Sequence, residues 1–126
     1  MISQWFLRFG VLFGLGGMGL GIYMAATHDH VLAPVHAHVN LLGWVSMFLA
    51  GLFYSLRSDL DGKMARIHFA LALIGLLILT PGLTGVMLGE TSWGEPVSAI
   101  GSIITLTSMV VFAFVVLTAP AQARAR

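Results

Sequence analysis

Four long apolar stretches dominate the chain and are separated by short polar connections. They run from about Gln4 to Ala26, Val35 to Leu56, Met64 to Leu88 and Pro96 to Thr118. Each stretch is long enough to cross the hydrocarbon core of a bilayer, which takes about 20 mostly apolar residues. Because the connections are short, consecutive helices should pack as antiparallel neighbours. The pattern predicts one all-α domain over residues 1–126, an up-and-down bundle of four transmembrane helices.

Composition supports a lipid environment. The chain is 58% hydrophobic and only 9% charged, whereas about a quarter of the residues in soluble domains are charged. The first apolar run continues from Trp5 and Phe6 through Val11 to Ala26 and exceeds the roughly 7–15 residues of a secretory signal. We therefore expect a retained first helix. The chain has no cysteine and shows no phosphate-binding loop or basic aromatic surface, so nucleic acid is not an expected partner.

The basic residues indicate the orientation of the bundle. All six cations fall on one side of a four-span chain: Arg8, Arg57, Lys63, Arg66, Arg124 and Arg126. The other two connections contain no lysine or arginine. Cytoplasmic loops carry the excess of such residues, so both termini are predicted to be cytoplasmic. The expected location is the cell membrane, which would be the inner membrane in a Gram-negative bacterium, with the protein spanning it several times.

Glycines form a stripe on the first helix. Gly10, Gly14, Gly17 and Gly21 recur at spacings of four, three and four residues. Small residues let another helix backbone approach closely, which drives helix association in lipid. Two interpretations follow from this stripe. It packs against a neighbouring helix of the same bundle, or it forms a homo-oligomer interface or a wall beside a flat cofactor.

Histidines are the main candidates for chemistry, because an ionisable group inside a bilayer is a functional hypothesis by default. His36 and His38 follow Pro34, which suits the first turn of a helix. Positions two apart on a helix point about 200° apart, so these two imidazoles should serve different sites. Asn40 shares the face of His36. The alternative is that both histidines begin a helix at the wet interface.

The other three histidines lie in different settings. His28 and His30 flank Asp29 in the first outer connection and form a candidate copper or zinc site, because neutral imidazole suits both metals. The alternative is an ordinary polar loop. His68 begins the third span at the opposite side, about 30 Å of membrane away. We expect it to cap an interface or contact lipid headgroups, and Tyr54 to act as an interfacial anchor.

Two segments carry a family resemblance. Residues 33–54 read APVHAHVNLLGWVSMFLAGLFY and resemble the haem-ligand helix of the catalytic subunit of haem–copper oxidases. That helix contains an Ala-His-x-His pair, in which the first histidine binds the high-spin haem and the second the low-spin haem. Residues 67–85, IHFALALIGLLILTPGLTG, are similar to the following oxidase helix, which has a His-Phe start and an outer proline. The resemblance covers two of the four spans.

The resemblance implies a small b-type haem protein with His36 and His38 as cofactor ligands. Further ligands would be Met24, Met87, a loop histidine or a histidine of another subunit in a homo-oligomer. Such a protein would transfer electrons to a redox partner, or bind or reduce a diatomic gas such as O2 or NO; as an enzyme it would be an oxidoreductase. The chain has far fewer spans than an oxidase subunit and no evident copper-site histidines or histidine–tyrosine pair. The alternatives are a copper- or zinc-binding accessory protein and a cofactor-free interaction protein.

Overall fold

The computed structural model describes residues 1–121 and forms a bundle of four long helices. They are α1 (Ile2–Thr27), α2 (Ala33–Leu56), α3 (Lys63–Met87) and α4 (Thr91–Thr118). All four are long and apolar enough to cross a membrane, and no strand occurs among the described residues. The predicted all-α, four-span architecture is therefore confirmed for this part of the chain. Arg124 and Arg126 lie outside the described residues.

The fourth helix is longer than the span predicted from its apolar stretch. The fourth span was expected to begin near Pro96, but α4 begins at Thr91. Packing against α3 explains the extra turn. A methyl group on Gly94 would lie 2.7 Å from the Val86 nitrogen, and one on Gly85 would lie 2.6 Å from the Trp93 ring. Because this close contact orders the start of α4, the helix extends outward past its internal proline.

The first two helices form a tight antiparallel hairpin along the glycine stripe. Gly10 faces Phe48, Gly14 faces Trp44, Gly17 faces Asn40 and Gly21 faces His36. A methyl group at Gly17 would lie 2.6 Å from the Asn40 amide, and one at Gly21 would lie 2.8 Å from His36 Cε1. The stripe is therefore a packing surface within the bundle, as the first interpretation predicts. The side chains of α2 occupy it, so it is not a free surface for a second copy or a cofactor.

The third and fourth helices form a second antiparallel hairpin, which has the largest helix–helix interface of the molecule. Glycines again let the backbones meet. Gly75 contacts Thr105, Gly82 contacts Ser98 and Gly101 contacts Leu79. In lipid, such close van der Waals packing replaces the hydrophobic driving force between helices. The α1–α2 and α3–α4 hairpins then pack against each other mainly through contacts of α3 with α1 and α2.

The two ends of the bundle differ in charge. Following the predicted orientation, we call the end that carries the described cations the inner end; it contains Arg8, Arg57, Lys63 and Arg66. The opposite end, with the α1–α2 and α3–α4 connections, is the outer end. At the inner end Arg57 pairs with Asp59 at 2.8 Å and donates to the Pro120 carbonyl at 3.0 Å.

One aromatic ring from each helix closes the inner end. We call this group the aromatic cluster; it comprises Phe6, Tyr54, His68 and Phe112. The His68 and Phe112 rings stack with centroids 4.7 Å apart, and Phe6 lies 4.8 Å from His68. Phe6 and Tyr54 are fully buried. Because the cluster joins all four helices, it fixes the spacing of the two hairpins at this end.

The middle of α2 departs from regular α-helical geometry. Residues Val39–Ser46 form a π-helix between two α-helical segments, and Ser46 Oγ donates to the Leu41 carbonyl at 2.7 Å. π-Helical turns are rare and occur frequently at functional sites. This segment begins directly after His38 and changes which residues of the inner half of α2 face α4.

Candidate functional site: a groove between α2 and α4

A groove of about 420 Å³ lies between α2 and α4, with α3 as its rear wall. It exists because α2 and α4 make few direct contacts outside the aromatic cluster. Its lining is mostly apolar, with a few hydroxyl groups and two histidines, His38 and His68. Leu49 and Leu106 also line it, and they are 58% and 65% exposed. The groove therefore opens sideways to the surface that faces lipid.

His38 stands at the outer end of this groove. Its Nδ1 lies 2.7 Å from the carbonyl of Pro34, one turn earlier. A carbonyl oxygen can only accept, so in the neutral ring Nδ1 carries the proton and donates it. Nε2 is then the nitrogen with the free lone pair. Among the described residues Nε2 has no hydrogen-bond partner. Histidines that bind metals typically donate the other N–H to a carbonyl or carboxylate in this way.

His36 lies on another face of α2 and contacts α1. Its Nδ1 lies 2.7 Å from the Gly17 carbonyl, which fixes the same tautomer as in His38. Asn40 Nδ2 donates to the His36 carbonyl at 2.8 Å. The ring fills the space above Gly21 and does not line the groove. The structure therefore separates the two predicted ligands, with His38 at the groove and His36 in the α1–α2 interface.

The two methionines proposed as further ligands lie away from the groove. Met24 is buried in α1, and Met87 is the last residue of α3. Neither lines the groove, whereas Met47 and Met109 do. Met24 and Met87 are therefore not brought together with His38 inside one chain.

The outer loop histidines are exposed. His28 ends α1 in the left-handed conformation, with φ 54°. Asp29, between the two histidines, accepts a hydrogen bond from the Val31 amide at 3.0 Å. Within residues 1–121, no group of three histidine, aspartate or glutamate side chains is close enough to hold a metal ion. His28 and His30 thus have no third ligand of these types beside them in this part of the chain.

His68 occupies the inner end of the groove and differs from its predicted setting. It was expected to cap an interface or contact headgroups, but only 5% of it is exposed. Its Nδ1 lies 3.1 Å from the hydroxyl of Tyr54. Tyr54 was expected to be an interfacial anchor and is instead fully buried. Both residues face the bundle interior, where the aromatic cluster surrounds them.

This histidine–tyrosine pair is the feature that sequence reasoning missed. Tyr54 lies in the last turn of α2 and His68 in the second turn of α3. Because a short connection joins two antiparallel helices, residues at those positions lie at the same depth. The sequence therefore contained enough information to predict that Tyr54 and His68 lie at the same depth. It did not show that their side chains face each other, because that depends on how α1 and α4 pack. Because it pairs with Tyr54 at the inner end, His68 becomes the second histidine that lines the groove, beside His38.

No family model matches the chain, and no curated protein or solved structure shows significant similarity to it.

Proposed function

We propose that this membrane protein binds a b-type haem at the outer end of the α2–α4 groove, with His38 Nε2 as an axial ligand. The observation that carries the proposal is the hydrogen bond from His38 Nδ1 to the Pro34 carbonyl, 2.7 Å long. It orients the ring and leaves Nε2 as the ligand nitrogen. The resemblance of α2 to the haem-ligand helix of haem–copper oxidases supports the same residue.

The surroundings of His38 fit a flat, apolar group. The groove is lined mainly by apolar side chains, and it is open on one side. Ligand pockets commonly measure about 300–1,000 Å³ and combine an apolar lining with a few polar groups. Leu42 would pack on the macrocycle, and Ser46 would contribute a polar atom near it. The apolar wall would keep water away from the iron.

The role of the chain's residues follows from this arrangement. Bound haem supplies an iron that changes oxidation state or binds a diatomic gas, depending on its axial ligands and pocket polarity. His38 would bind the iron, and Pro34 would hold the imidazole in place. Because this chain would supply one ligand, the iron would also be able to bind O2 or NO, or a histidine of a second copy. The protein would therefore act in gas binding, gas reduction or electron transfer.

The test is the absorption spectrum of purified protein after expression with haem supplied, first air-oxidised and then reduced with dithionite. We expect a Soret band that is lost in His38→Ala and kept in His36→Ala. His30→Ala is the matched control, because His30 is exposed in the outer loop. His38→Gly should regain the band when free imidazole is added, since imidazole can replace the missing ligand.

Two results would contradict the proposal. A folded protein without visible bands would exclude a haem protein, and metal analysis of the same sample would then decide between a copper or zinc protein and a cofactor-free one. Loss of the band in His36→Ala but not in His38→Ala would exclude His38 as the ligand. The spin state of the oxidised iron distinguishes haem bound by one histidine from haem shared with a histidine of a second copy. The shared form should be low-spin, and dilution to the monomer should abolish that low-spin signal.

A further inference from the structure

The inner end of the groove contains a buried histidine, His68, whose Nε2 has no hydrogen-bond partner among the described residues. Only 5% of His68 is exposed, and the only hydrogen bond of its side chain among the described residues joins Nδ1 to the Tyr54 hydroxyl at 3.1 Å. The tautomer of the ring decides what faces the groove. If Nδ1–H donated to the phenol oxygen, the Tyr54 proton would have no acceptor, and Nε2 would also be left unpaired.

The opposite arrangement satisfies more groups. If the Tyr54 hydroxyl donates to Nδ1, the phenol is satisfied and Nε2 carries the ring proton. In this tautomer only the Nε2–H of His68 lacks a partner, whereas in the other tautomer both the Tyr54 proton and Nε2 lack one. Leaving a buried donor or acceptor unsatisfied costs about 1–3 kcal/mol, so this tautomer is favoured. Since His68 lines the groove, its Nε2–H is available to a ligand that enters from the lipid side.

We infer that the inner end of the groove binds the headgroup of a membrane quinone, with His68 Nε2–H donating to a quinone carbonyl. Three features select this chemical class. The donor requires an acceptor, and a quinone carbonyl is one. Phe6 and Phe112 line the groove beside His68, and a flat ring packs well against aromatic side chains. The sideways opening between Leu49 and Leu106 admits a ligand that is dissolved in the membrane.

The sideways opening beside the inner end suits the isoprenoid tail. Met109 and Leu106 follow Phe112 outward along α4, and they present an apolar wall to a hydrocarbon chain that runs from the aromatic cluster to the sideways opening. The exposed leucines at the opening let a long tail leave the groove into the bilayer. This inference does not depend on haem binding, because it uses the inner end and His68, whereas the haem proposal uses the outer end and His38.

The experiment measures quinone binding by the full-length chain in nanodiscs of phosphatidylcholine, with oxidised decylubiquinone as the probe. Bound quinone is extracted and quantified after free quinone is removed, and empty nanodiscs of the same composition supply the background. We expect saturable binding of about one quinone per chain. The excess phospholipid in each disc already offers ester carbonyls, so specific binding above background separates a quinone site from a lipid site.

The variants test the role of His68. His68→Phe keeps an aromatic ring but removes the donor, and it should weaken binding about tenfold or more. His68→Gln retains an acceptor toward Tyr54 and a donor toward the groove, so it should keep most of the affinity. His30→Phe is the matched control in the exposed outer loop and should bind like the wild type. If His68→Phe does not fold, Ala72→Leu fills the groove one turn away and should abolish binding while leaving His68 in place.

The inference is overturned if the wild type binds no more quinone than empty discs, or if neither His68→Phe nor Ala72→Leu weakens binding. A second readout locates the bond itself. The infrared carbonyl band of bound quinone should shift to lower frequency in the wild type and move back toward its free position in His68→Phe. A carbonyl band at the free position in the wild type would contradict the hydrogen bond from His68. A sample with no Soret band but with His68-dependent quinone binding would contradict only the haem proposal.

Discussion

His38 and His68 edge the same groove at its two ends, yet they offer it different chemistry. At the outer end, Nδ1 of His38 faces the Pro34 carbonyl, which only accepts hydrogen bonds. At the inner end, Nδ1 of His68 faces the Tyr54 hydroxyl, which can donate. Nε2 is therefore a lone pair suited to a metal in His38 and an N–H donor suited to a carbonyl in His68. In each histidine, the hydrogen-bond partner of Nδ1 therefore determines whether Nε2 is a metal ligand or a hydrogen-bond donor.

The two ends of the groove also differ in how tightly the helices pack around them. The inner end is closed by the aromatic cluster, which takes one ring from each helix. At the outer end the α2–α4 space is open, and the helices are held within the two hairpins by the glycine contacts and by the hydrogen bond between His36 and the Gly17 carbonyl. A small, flat headgroup fits against the closed end, whereas a larger group that needs one ligand suits the open end. Each prediction below disturbs one end and asks whether the other responds.

The largest effect is expected from Gly17→Leu, which disturbs the outer end. Added atoms at this position would collide with the Asn40 amide, since even a methyl group would lie 2.6 Å from it. Overpacking of this kind typically costs about 1–3 kcal/mol. Because the Gly17 carbonyl also accepts from His36, α2 should shift near His38, and haem content should fall. Circular dichroism during denaturation with SDS measures the loss of stability.

Gly16→Leu is the matched control for this prediction. Gly16 is the neighbouring glycine, and a methyl group there would meet nothing within 4 Å. Its stability and haem content should equal or exceed those of the wild type, because glycine in a helix is less favourable than most residues by up to about 1 kcal/mol. Quinone binding at His68 should survive in both variants. Equal destabilisation by the two substitutions would contradict the close contact of Gly17 with α2.

An intermediate effect is expected from Tyr54→Phe, which acts on the inner end alone. The phenylalanine keeps the ring packing but removes the donor to His68 Nδ1, at a cost of about 0.5–1.5 kcal/mol of stability. The His68 ring is then free to adopt the tautomer that His38 has. Nitrogen-15 NMR of labelled histidine reports the tautomer directly. We expect Nε2–H for His68 in the wild type and a mixture of tautomers in the variant.

The same spectra test the outer end, where His36 and His38 should show Nδ1–H in both proteins. Tyr23→Phe serves as the control, because Tyr23 is 59% exposed and its removal should change neither stability nor any histidine signal. If His68 carries its proton on Nδ1 in the wild type, the contrast between the two ends is wrong. The quinone inference would then lose its donor.

Hydropathy was sufficient to predict the four-helix fold, because each span needs a long apolar segment whatever its neighbours are. The glycine spacing on α1 likewise predicted a packing stripe. The sequence did not reveal that Gly75, Gly82 and Gly101 play the same role between α3 and α4. Their contacts alternate between the two helices, so neither helix alone displays the full stripe.

The site was less predictable than the fold. The Pro34-His36-His38 spacing predicted two imidazoles on different faces, and the structure places them at α1 and at the groove. The groove itself depends on where α4 stands relative to α2, which no local pattern specifies. His68 was predicted at a wet interface from its position near a helix end. Its burial results from Phe6 and Phe112, which come from helices distant in sequence.

The smallest effect is expected from Asp61→Asn at the inner end. Asp61 lies in the α2–α3 connection and accepts hydrogen bonds from the backbone amides of Ile2 at 3.0 Å and Ser3 at 3.2 Å. It thereby places a negative charge at the start of α1, an interaction typically worth about 0.3–1 kcal/mol. The amide of asparagine has one acceptor oxygen and keeps only one of these two hydrogen bonds, so the charge and the other hydrogen bond are lost together. The aromatic cluster should remain intact, and quinone binding should not change.

The contribution of Asp61 to stability should decrease as the pH falls. Burial acts to raise the pKa of Asp61, but hydrogen bonds from Ser3 and Ile2 and the charge of the N-terminus outweigh it, so the pKa lies below its ordinary value of 3.8. The stabilisation is therefore present above about pH 4 and is lost as the pH falls through the lower folded-state pKa. The stabilities of the wild type and Asp61→Asn should converge on acidification. Asp59→Asn, which removes an exposed partner of Arg57, should change stability less at neutral pH. The stabilities of the wild type and Asp61→Asn could instead differ by the same amount at neutral pH and well below the carboxyl range. That result would show that the charge of Asp61 does not hold α1 in place.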